Sequence, residues 1–319
     1  MSNDSAKQHD LHIRGRFAPS PSGRMHLGNV FCALLSWLIT KHSGGMWVLR
    51  IEDLDRQRCK SDYAAWIEDD LHWLGLEWDE GGKAGGDNYF QSHRSTIYET
   101  FFQKLCDLSL TYPCFCTRTD LWAAQAPHTG QSHIYNGHCR TLTTEERIAL
   151  LTIRRPAIRV MVPDETICFN DRHYGHQHMN LANDCGDFIV RRSDGTFAYQ
   201  LAVVVDDAQM HINQVVRGRD LLPSTAAQLY LYRLLQLPEP QFFHLPLLCT
   251  SDGKRLCKRD HDLDLSVLRT KYSAAEIIGQ LAFCAGQTDN PHPITPTELL
   301  PTFDPQRIPT HDIIVGINT

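Results

Sequence analysis

The sequence predicts an α/β fold in which an open sheet is interrupted by an inserted module. Ile13 to Phe17 reads as a short strand, Pro19 to Gly23 is rich in turn formers, and Leu27, Val30, Phe31, Leu34, Leu35 and Leu38 recur at helical spacing. These make a strand, a turn and a helix. The alternation returns late in the chain, where His211 to Val216 alternates as a strand, Gly218 and Pro223 punctuate, and Ser224 to Leu235 carries one apolar face. Between the two halves the Cys-rich stretch Cys114 to Cys139 breaks the pattern, and an insertion begins there.

The remaining elements follow in order. Met46 to Ile51 is a strand, Ser61 to Leu74 an amphipathic helix, Gly81 to Gly86 a flexible loop and Gln91 to Leu110 a further helix. The apolar run Phe242 to Leu248 is a late strand, followed by the compact basic loop Gly253 to Arg259. Ala274 to Ala285 is helical, and a Pro-rich stretch from Pro291 to Pro309 contains a capping box at Thr295, with Pro296 at the first helical position and Glu298 at the third. The chain divides into the first half of the α/β domain (residues 1–110), an insertion (111–190), the second half of that domain (191–260) and a short helical, Pro-rich extension (261–319).

Composition sets the outer limits. At 319 residues, 42% hydrophobic and 21% charged, the chain can bury one large or two modest cores. Its first ten residues are polar, and the longest apolar stretch, Val30 to Ile39, falls far short of the ~20 residues needed to cross a bilayer. A cytoplasmic monomer is expected. Eleven scattered cysteines suit reduced thiols and a metal better than a disulfide framework, and Cys32, Cys106, Cys168, Cys185, Cys249 and Cys284 are expected at buried positions. A net charge of -6 argues against indiscriminate polyanion binding but leaves room for a local basic face, with Arg154, Arg155, Arg159, Arg191, Arg192, Arg217 and Arg219 as candidates.

The segment from Arg16 to Asn29 reads R-F-A-P-S-P-S-G-R-M-H-L-G-N. A helix opening at Gly28 would aim free backbone N–H groups and its positive dipole end at a phosphate, with His26 and Asn29 as neutral donors beside it. A surface histidine ahead of a helix is the plainer alternative. Paired with the basic loop G-K-R-L-C-K-R, however, the order and spacing resemble the two signatures of class I aminoacyl-tRNA synthetases, H-I-G-H and K-M-S-K-S, here His26 to Asn29 and Arg255 to Arg259. Within that superfamily, R-F-A-P-S-P-S-G, the L-R-I-E-D of Leu49 to Asp53, the Y-Q-L-A-V-V-V-D-D of Tyr199 to Asp207 and the V-V-R-G-R-D of Val215 to Asp220 resemble glutamyl-specific members. The resemblance runs in separated blocks from about Arg14 to about Arg259.

The resemblance implies a Rossmann-type catalytic domain, and L-glutamate contacts at Arg16, Ala18, Ser20, Glu52, Tyr199 and Arg217. The residue types suit that ligand. Arg16 and Arg217 offer planar guanidinium forks to two carboxylates, Glu52 accepts from the ammonium, and Tyr199 donates its phenol. A surface pairing of Glu52 with Arg50 or Arg56 is the alternative. The implied chemistry is activation of glutamate by ATP with Mg2+. His26, Gly28 and Asn29 would hold ATP, and Lys258 would reach the departing phosphates, with His26, Asn29 and Lys258 as the catalytic set. Three positions depart from the signatures: Asn29 stands for the last histidine of the first, Arg255 for the first lysine of the second and Cys257 for its serine. Cys257 loses a strong hydroxyl donor.

Cys114 and Cys116 place two thiolates on one turn, and Cys139 with His133, Tyr135 and His138 nearby supplies enough donors for a tetrahedral structural zinc site, against the alternative of three free core thiols. The resemblance points to Tyr135 as the fourth ligand. After Arg259 only 60 residues remain, where glutamyl-tRNA synthetases carry a large helical anticodon-binding domain. In this the chain resembles the glutamyl-Q tRNA(Asp) synthetases, which transfer glutamate to the queuosine base in the anticodon of tRNA(Asp). The alternatives are a truncated glutamyl-tRNA synthetase charging a 3′ end and a catalytically silent tRNA-binding module. Glutaminyl enzymes, with P-P-E at Ala18, Pro19 and Ser20, fit less well.

Overall fold

The computed structural model describes residues 12–55, 58–117, 134–250, 253, 255–256 and 264–315. Its centre is a five-stranded parallel sheet in the order β10-β9-β1-β2-β3. The strands are β1 (Arg14–Phe17), β2 (Met46–Leu49), β3 (Glu80–Gly81), β9 (Gln214–Gly218) and β10 (Gln241–Leu245). Both faces are covered, as a parallel sheet requires. Adjacent strand residues feed opposite cores: Trp47, Val216 and Phe243 enter one, Val48, Val215 and Phe242 the other.

The first core is built on α1 (Leu27–His42) and α2 (Ser61–Trp73). Helix α1 is buried nearly all round, and even its Ser36 is satisfied, donating to the Arg16 carbonyl at 3.2 Å and accepting from Trp47 Nε1 at 2.9 Å. A Cβ on Gly15 would lie 2.2 Å from Thr40 Oγ1, so glycine in β1 is what lets this helix seat on the strand. The second core lies under α3 (Ser95–Asp107), and it also takes in the helices Tyr199–Gln209 and Thr225–Leu234.

Between the two halves, β4 (Thr111–Cys114), β5 (Ala157–Val160) and β8 (Phe188–Arg191) form an antiparallel sheet, with α4 (Thr144–Ile153) before β5 and the hairpin of β6 (Thr166–Asp171) and β7 (Gly175–Asn180) after it. Then come α5 (Tyr199–Gln209), α6 (Thr225–Leu234), β11 (Leu248–Cys249), α7 (Leu265–Lys271), α8 (Ala274–Cys284), α9 (Pro296–Leu299) and β12 (Ile313–Ile314). The expected Thr295 box is present, with Glu298 bonding back to the cap. Leu299, Phe303, Ile308 and Val315 enter the first core, and β12 pairs with β11, so the C-terminal segment is fastened to the α/β domain. Among the described residues no helix is long and apolar enough to cross a membrane.

Several boundaries differ from the expectations. The strand expected from His211 begins at Gln214, because His211 has φ 56° and belongs to a turn. The helix expected from Gln91 begins at Ser95, since Gln91 to His93 form a separate tight turn whose Gln91 side chain reaches Asp206. Gly81 to Gly86 is held in short turns and not left as a flexible loop. Of the six cysteines expected at buried positions, Cys249 is buried, Cys32, Cys106, Cys185 and Cys284 are half-buried, and Cys168 is exposed, because strand alternation sends its neighbour Ile167 inward instead.

A buried charge network fixes the carboxyl ends of β1 and β2 against α5. Arg50, with no exposed surface, binds Asp207 Oδ1 at 2.6 Å and Glu52 Oε1 at 3.1 Å, and lies 3.8 Å from Asp206 Oδ2. Arg16 Nε meets Asp207 Oδ1 at 3.2 Å, and Arg94 Nε meets Asp206 Oδ1 at 2.7 Å. Burial works to raise Asp207, but Arg16 and Arg50 outweigh it and hold the carboxyl below its ordinary value. Removing one member strands its partners in a dry environment. Arg50→Ala is therefore expected to lower the unfolding free energy by about 3–5 kcal/mol, read from urea denaturation; a loss below about 1 kcal/mol would show that the network is dispensable.

Candidate active site

Strand β1 has β2 on one side and β9 on the other, so successive connections leave it in opposite directions. At such a switch point an open parallel sheet has a crevice beyond its carboxyl ends. A cavity of about 490 Å³ lies there. Arg16, Ala18 and Ser20 line it from β1 and its turn, and His26, Gly28 and Asn29 from the start of α1. Glu52 lines it beyond β2, Tyr199 from α5 and Arg217 from β9. All nine of these expected positions thus meet in one place.

The helix start is built differently from the expectation. Helix α1 opens at Leu27, with His26 as its cap: His26 Nδ1 accepts from the Gly28 amide at 3.1 Å, and Asn29 Oδ1 accepts from the His26 amide at 3.3 Å. The Asn29 amide bonds the His26 carbonyl at 2.8 Å. The Gly28 and Asn29 amides are thus engaged within the turn. What the arrangement fixes instead is the imidazole, which in its neutral form carries its proton on Nε2 because Nδ1 is an acceptor. Gly28 is needed for this, since a Cβ there would come within 2.9 Å of His26 Cε1.

The charged groups are unequal. Glu52 does pair with Arg50, the alternative weighed above, yet the pair is buried and Glu52 still lines the cavity. Burial raises Glu52 above the ordinary carboxylate value, against the pull of Arg50 and Arg16. Arg16 is matched by Asp207. Arg217 is not: its side chain donates to His244 Nε2 at 3.0 Å, Gln228 Oε1 at 2.7 Å, Thr225 Oγ1 at 2.9 Å and the Leu221 carbonyl at 3.4 Å, and no carboxylate among the described residues pairs with it. Burial lowers its pKa from the ordinary value. Burial also raises the Tyr199 phenol, which stays a neutral donor.

Lys258 and Cys257 lie outside the described residues. Arg255 lines the cavity and pairs with Asp220 at 2.7 Å, so its charge is shared with the loop after β9. Of the expected basic face, Arg155, Arg191 and Arg192 lie near one another around Gly195, while most of the other candidates are buried or paired with acids. Arg159 and Arg217 are buried, Arg191 pairs with Glu99, Arg192 with Asp194 and Arg219 with Asp312.

The sulfurs of Cys114, Cys116 and Cys139 all lie within 4.8 Å of one another. Tyr135 Oη is 3.7 Å from Cys114 Sγ and 3.9 Å from Cys116 Sγ, and it accepts from the Cys139 amide at 2.7 Å. Such a buried cluster could hold a metal ion. His138 is exposed and not part of it, and His133 lies outside the described residues. Burial works to raise the Cys114 thiol, but Arg159, by hydrogen bond and charge, brings it below the ordinary value.

Sequence reasoning gave no role to Arg50, Asp206 and Asp207, which anchor Arg16 and Glu52, nor to His244 and Gln228, which hold Arg217. One signal was present. Two adjacent acids after the apolar run Leu201 to Val205 sit on a helix that is buried almost throughout, where each acid needs a cation.

Residues 12–281 match the family model for tRNA synthetases class I (E and Q), catalytic domain. A glutamyl-Q tRNA(Asp) synthetase of Symbiobacterium thermophilum is 46% identical over 312 residues, 96% of each chain, and one of Nitratidesulfovibrio vulgaris is 44% identical over 95% of each. Glutamate–tRNA ligase 2 of Alkalilimnicola ehrlichii is 42% identical over 81% of this chain but 55% of its own length. Among solved structures, a glutamate tRNA ligase from Elizabethkingia meningosepticum in complex with its amino acid superposes with a TM-score of 0.81 at 31% identity, covering 95% of this chain and 67% of that one.

Gly28→Ala should push the His26 ring off its cap and cost about 1 kcal/mol of stability. The imidazole 15N shifts of His26 would report loss of the Nδ1 acceptor bond; unchanged shifts would contradict the packing described.

Proposed function

The chain belongs to the class I tRNA synthetases of the glutamyl and glutaminyl type, grouping with their glutamyl-Q tRNA(Asp) synthetase members, and from that premise we propose that this ligase activates L-glutamate with ATP and Mg2+ and transfers it to the queuosine base in the anticodon of tRNA(Asp). The observation that carries the amino-acid assignment is Arg217. A guanidinium buried at a cavity wall with neutral partners alone favours an anionic ligand, and glutamate has a carboxylate to spare. In this reading Arg16 and Arg217 receive the two carboxylates, Glu52 accepts from the ammonium, Tyr199 donates its phenol, and Ala18 and Ser20 shape the wall.

Activation joins the α-carboxylate oxygen of glutamate to the α-phosphorus of ATP and breaks the bond to pyrophosphate. The protein needs no nucleophile of its own. Its part is to align the two substrates and to place positive charge and N–H donors where the phosphate oxygens gain charge. His26, held by its own helix, would offer Nε2–H to the nucleotide beside Gly28 and Asn29, and Lys258 would accompany the departing phosphates. A queuosine hydroxyl would then attack the glutamyl carbonyl, and AMP would leave.

The acceptor assignment is supported by the relatives that match end to end, which are glutamyl-Q tRNA(Asp) synthetases. An anticodon base can be splayed out and read by side chains, as in single-stranded RNA recognition generally. Labelled glutamate should pass to tRNA(Asp) carrying queuosine, not to tRNA(Asp) without it, and transfer should survive removal of the 3′-terminal adenosine. Label that goes to tRNA(Glu) and is abolished by that trimming would make the protein a glutamate–tRNA ligase instead.

Cys114, Cys116, Tyr135 and Cys139 would hold a structural zinc. Sulfurs around a tetrahedral zinc stand about 3.8 Å apart, given Zn–S bonds of about 2.3 Å. The Cys116–Cys139 separation of 3.5 Å suits that spacing. Zinc there would tie the residues after β4 to those before α4. Purified protein is expected to contain one zinc per chain, retained in His138→Ala and lost in Cys116→Ser; metal analysis finding a small fraction of an equivalent in the wild type would remove the site.

A further inference from the structure

Arg217 takes its direction from a residue that no step above uses. We infer that His244, backed by Asp171, is a positioning residue that sets specificity for the anionic substrate: a neutral imidazole that aims the Arg217 guanidinium without cancelling its charge. This rests on the glutamate reading above and deepens it.

The tautomer is fixed from both sides. A guanidinium has only donors, so the 3.0 Å contact from Arg217 Nε makes His244 Nε2 the acceptor, and the ring proton therefore sits on Nδ1. Nδ1 is 2.6 Å from Asp171 Oδ2, where it donates. Asp171 is held in turn by the amides of His173 and Tyr174 at the tip of the β6–β7 hairpin, at 3.0 and 2.9 Å. Neither His244 nor the side chain of Asp171 has exposed surface. A doubly protonated ring would set one N–H against another. Burial, reinforced by Arg217 and Arg16 and opposed by Asp171, keeps His244 below the ordinary histidine value.

The other acceptors obey the same rule of neutrality. Gln228 presents Oε1 to Arg217 because its Nε2 donates to Gln200 Oε1 at 2.8 Å. Thr225 and the Leu221 carbonyl take Nη2, and the Phe242 ring lies 5.1 Å from the guanidinium carbon. Among the described residues, this leaves one Nη1 N–H for a ligand. Arg16 offers the contrast, with the Asp207 carboxylate directly against it. At Arg217 the Asp171 carboxylate stands one imidazole away, so orientation comes without a direct ion pair. A neutral ligand such as glutamine would leave that charge unmatched, whereas glutamate answers it.

The test is ATP–pyrophosphate exchange by the full chain, with glutamate and ATP varied separately. His244→Leu removes the acceptor; His244→Gln returns a neutral one near the Nε2 position; Asp171→Asn lets the ring adopt either tautomer. His244→Leu should raise the KM for glutamate at least tenfold with kcat and the KM for ATP within about threefold of wild type, and it should narrow the preference for glutamate over glutamine. His244→Gln should stay within about threefold throughout, and Asp171→Asn should fall between. An unchanged glutamate KM in His244→Leu, glutamate and ATP KM rising together, or a Gln variant as impaired as the Leu variant would each overturn the inference. Wild-type protein inert toward glutamate would overturn the parent reading as well, whereas normal wild-type exchange with any of those three results sinks this inference alone.

Discussion

Three arginines and three carboxylates meet out of water beneath the sheet, and the shape of the cavity depends on their staying matched. Arg50 stands at the centre, joining Asp207 and Glu52 and approaching Asp206, while Arg16 and Arg94 close the set from either side. Tyr98 and Gln91 also bond Asp206 Oδ2, each at 2.8 Å. Such a network adds little net stability over a well-packed apolar core, because desolvation offsets most of the attraction. Its value is positional. Each charge has few arrangements in which all its partners are satisfied, so Arg16 and Glu52, the two members that face the cavity, are held to one geometry by groups that never reach it.

Much of this was legible from the chain, and what was legible was local. The strand, turn and helix around Arg16 to Asn29 follow from spacing and turn chemistry within a short window, and the Thr295 cap follows from a three-residue interval. His26 follows from that same short window, whereas the set Arg16, Ala18, Ser20, Glu52, Tyr199 and Arg217 comes through family resemblance, and the switch point between β1 and β9 explains why such distant positions converge. The partners were not legible. Arg50 and Asp207 lie 157 residues apart, and nothing local to either names the other. His244 sits inside an apolar strand where a histidine gives no hint of its tautomer. Element ends shifted for equally specific reasons, such as the left-handed turn at His211 and the Gln91 side chain turning back to Asp206.

The segment after α9 contributes to the site through one carboxylate. Asp312 Oδ1 accepts from Arg219 Nε at 2.6 Å and from the Leu247 amide at 2.9 Å, which binds the loop after β9 to the loop after β10. Asp220, at the same loop, pairs with Arg255. The loops after β9 and β10 are thus braced by Arg255 and by Asp312 of the C-terminal segment, and the residues following α9 act as a brace on the central sheet.

The convergence of distant segments on one crevice has a thermodynamic corollary. The crevice lies at the seam where β1 meets β9, and its walls come from segments separated by most of the chain: Arg16 and His26 from the first half, Tyr199 and Arg217 from the second. An amino acid held between those walls would cross-link the halves without a covalent bond. Any opening along the seam must then release the bound molecule first, so occupancy adds RT ln(1 + [L]/Kd) to the work of separating them. A molecule held in this way would be a temporary structural member, and the protein would be most tightly assembled with it in place.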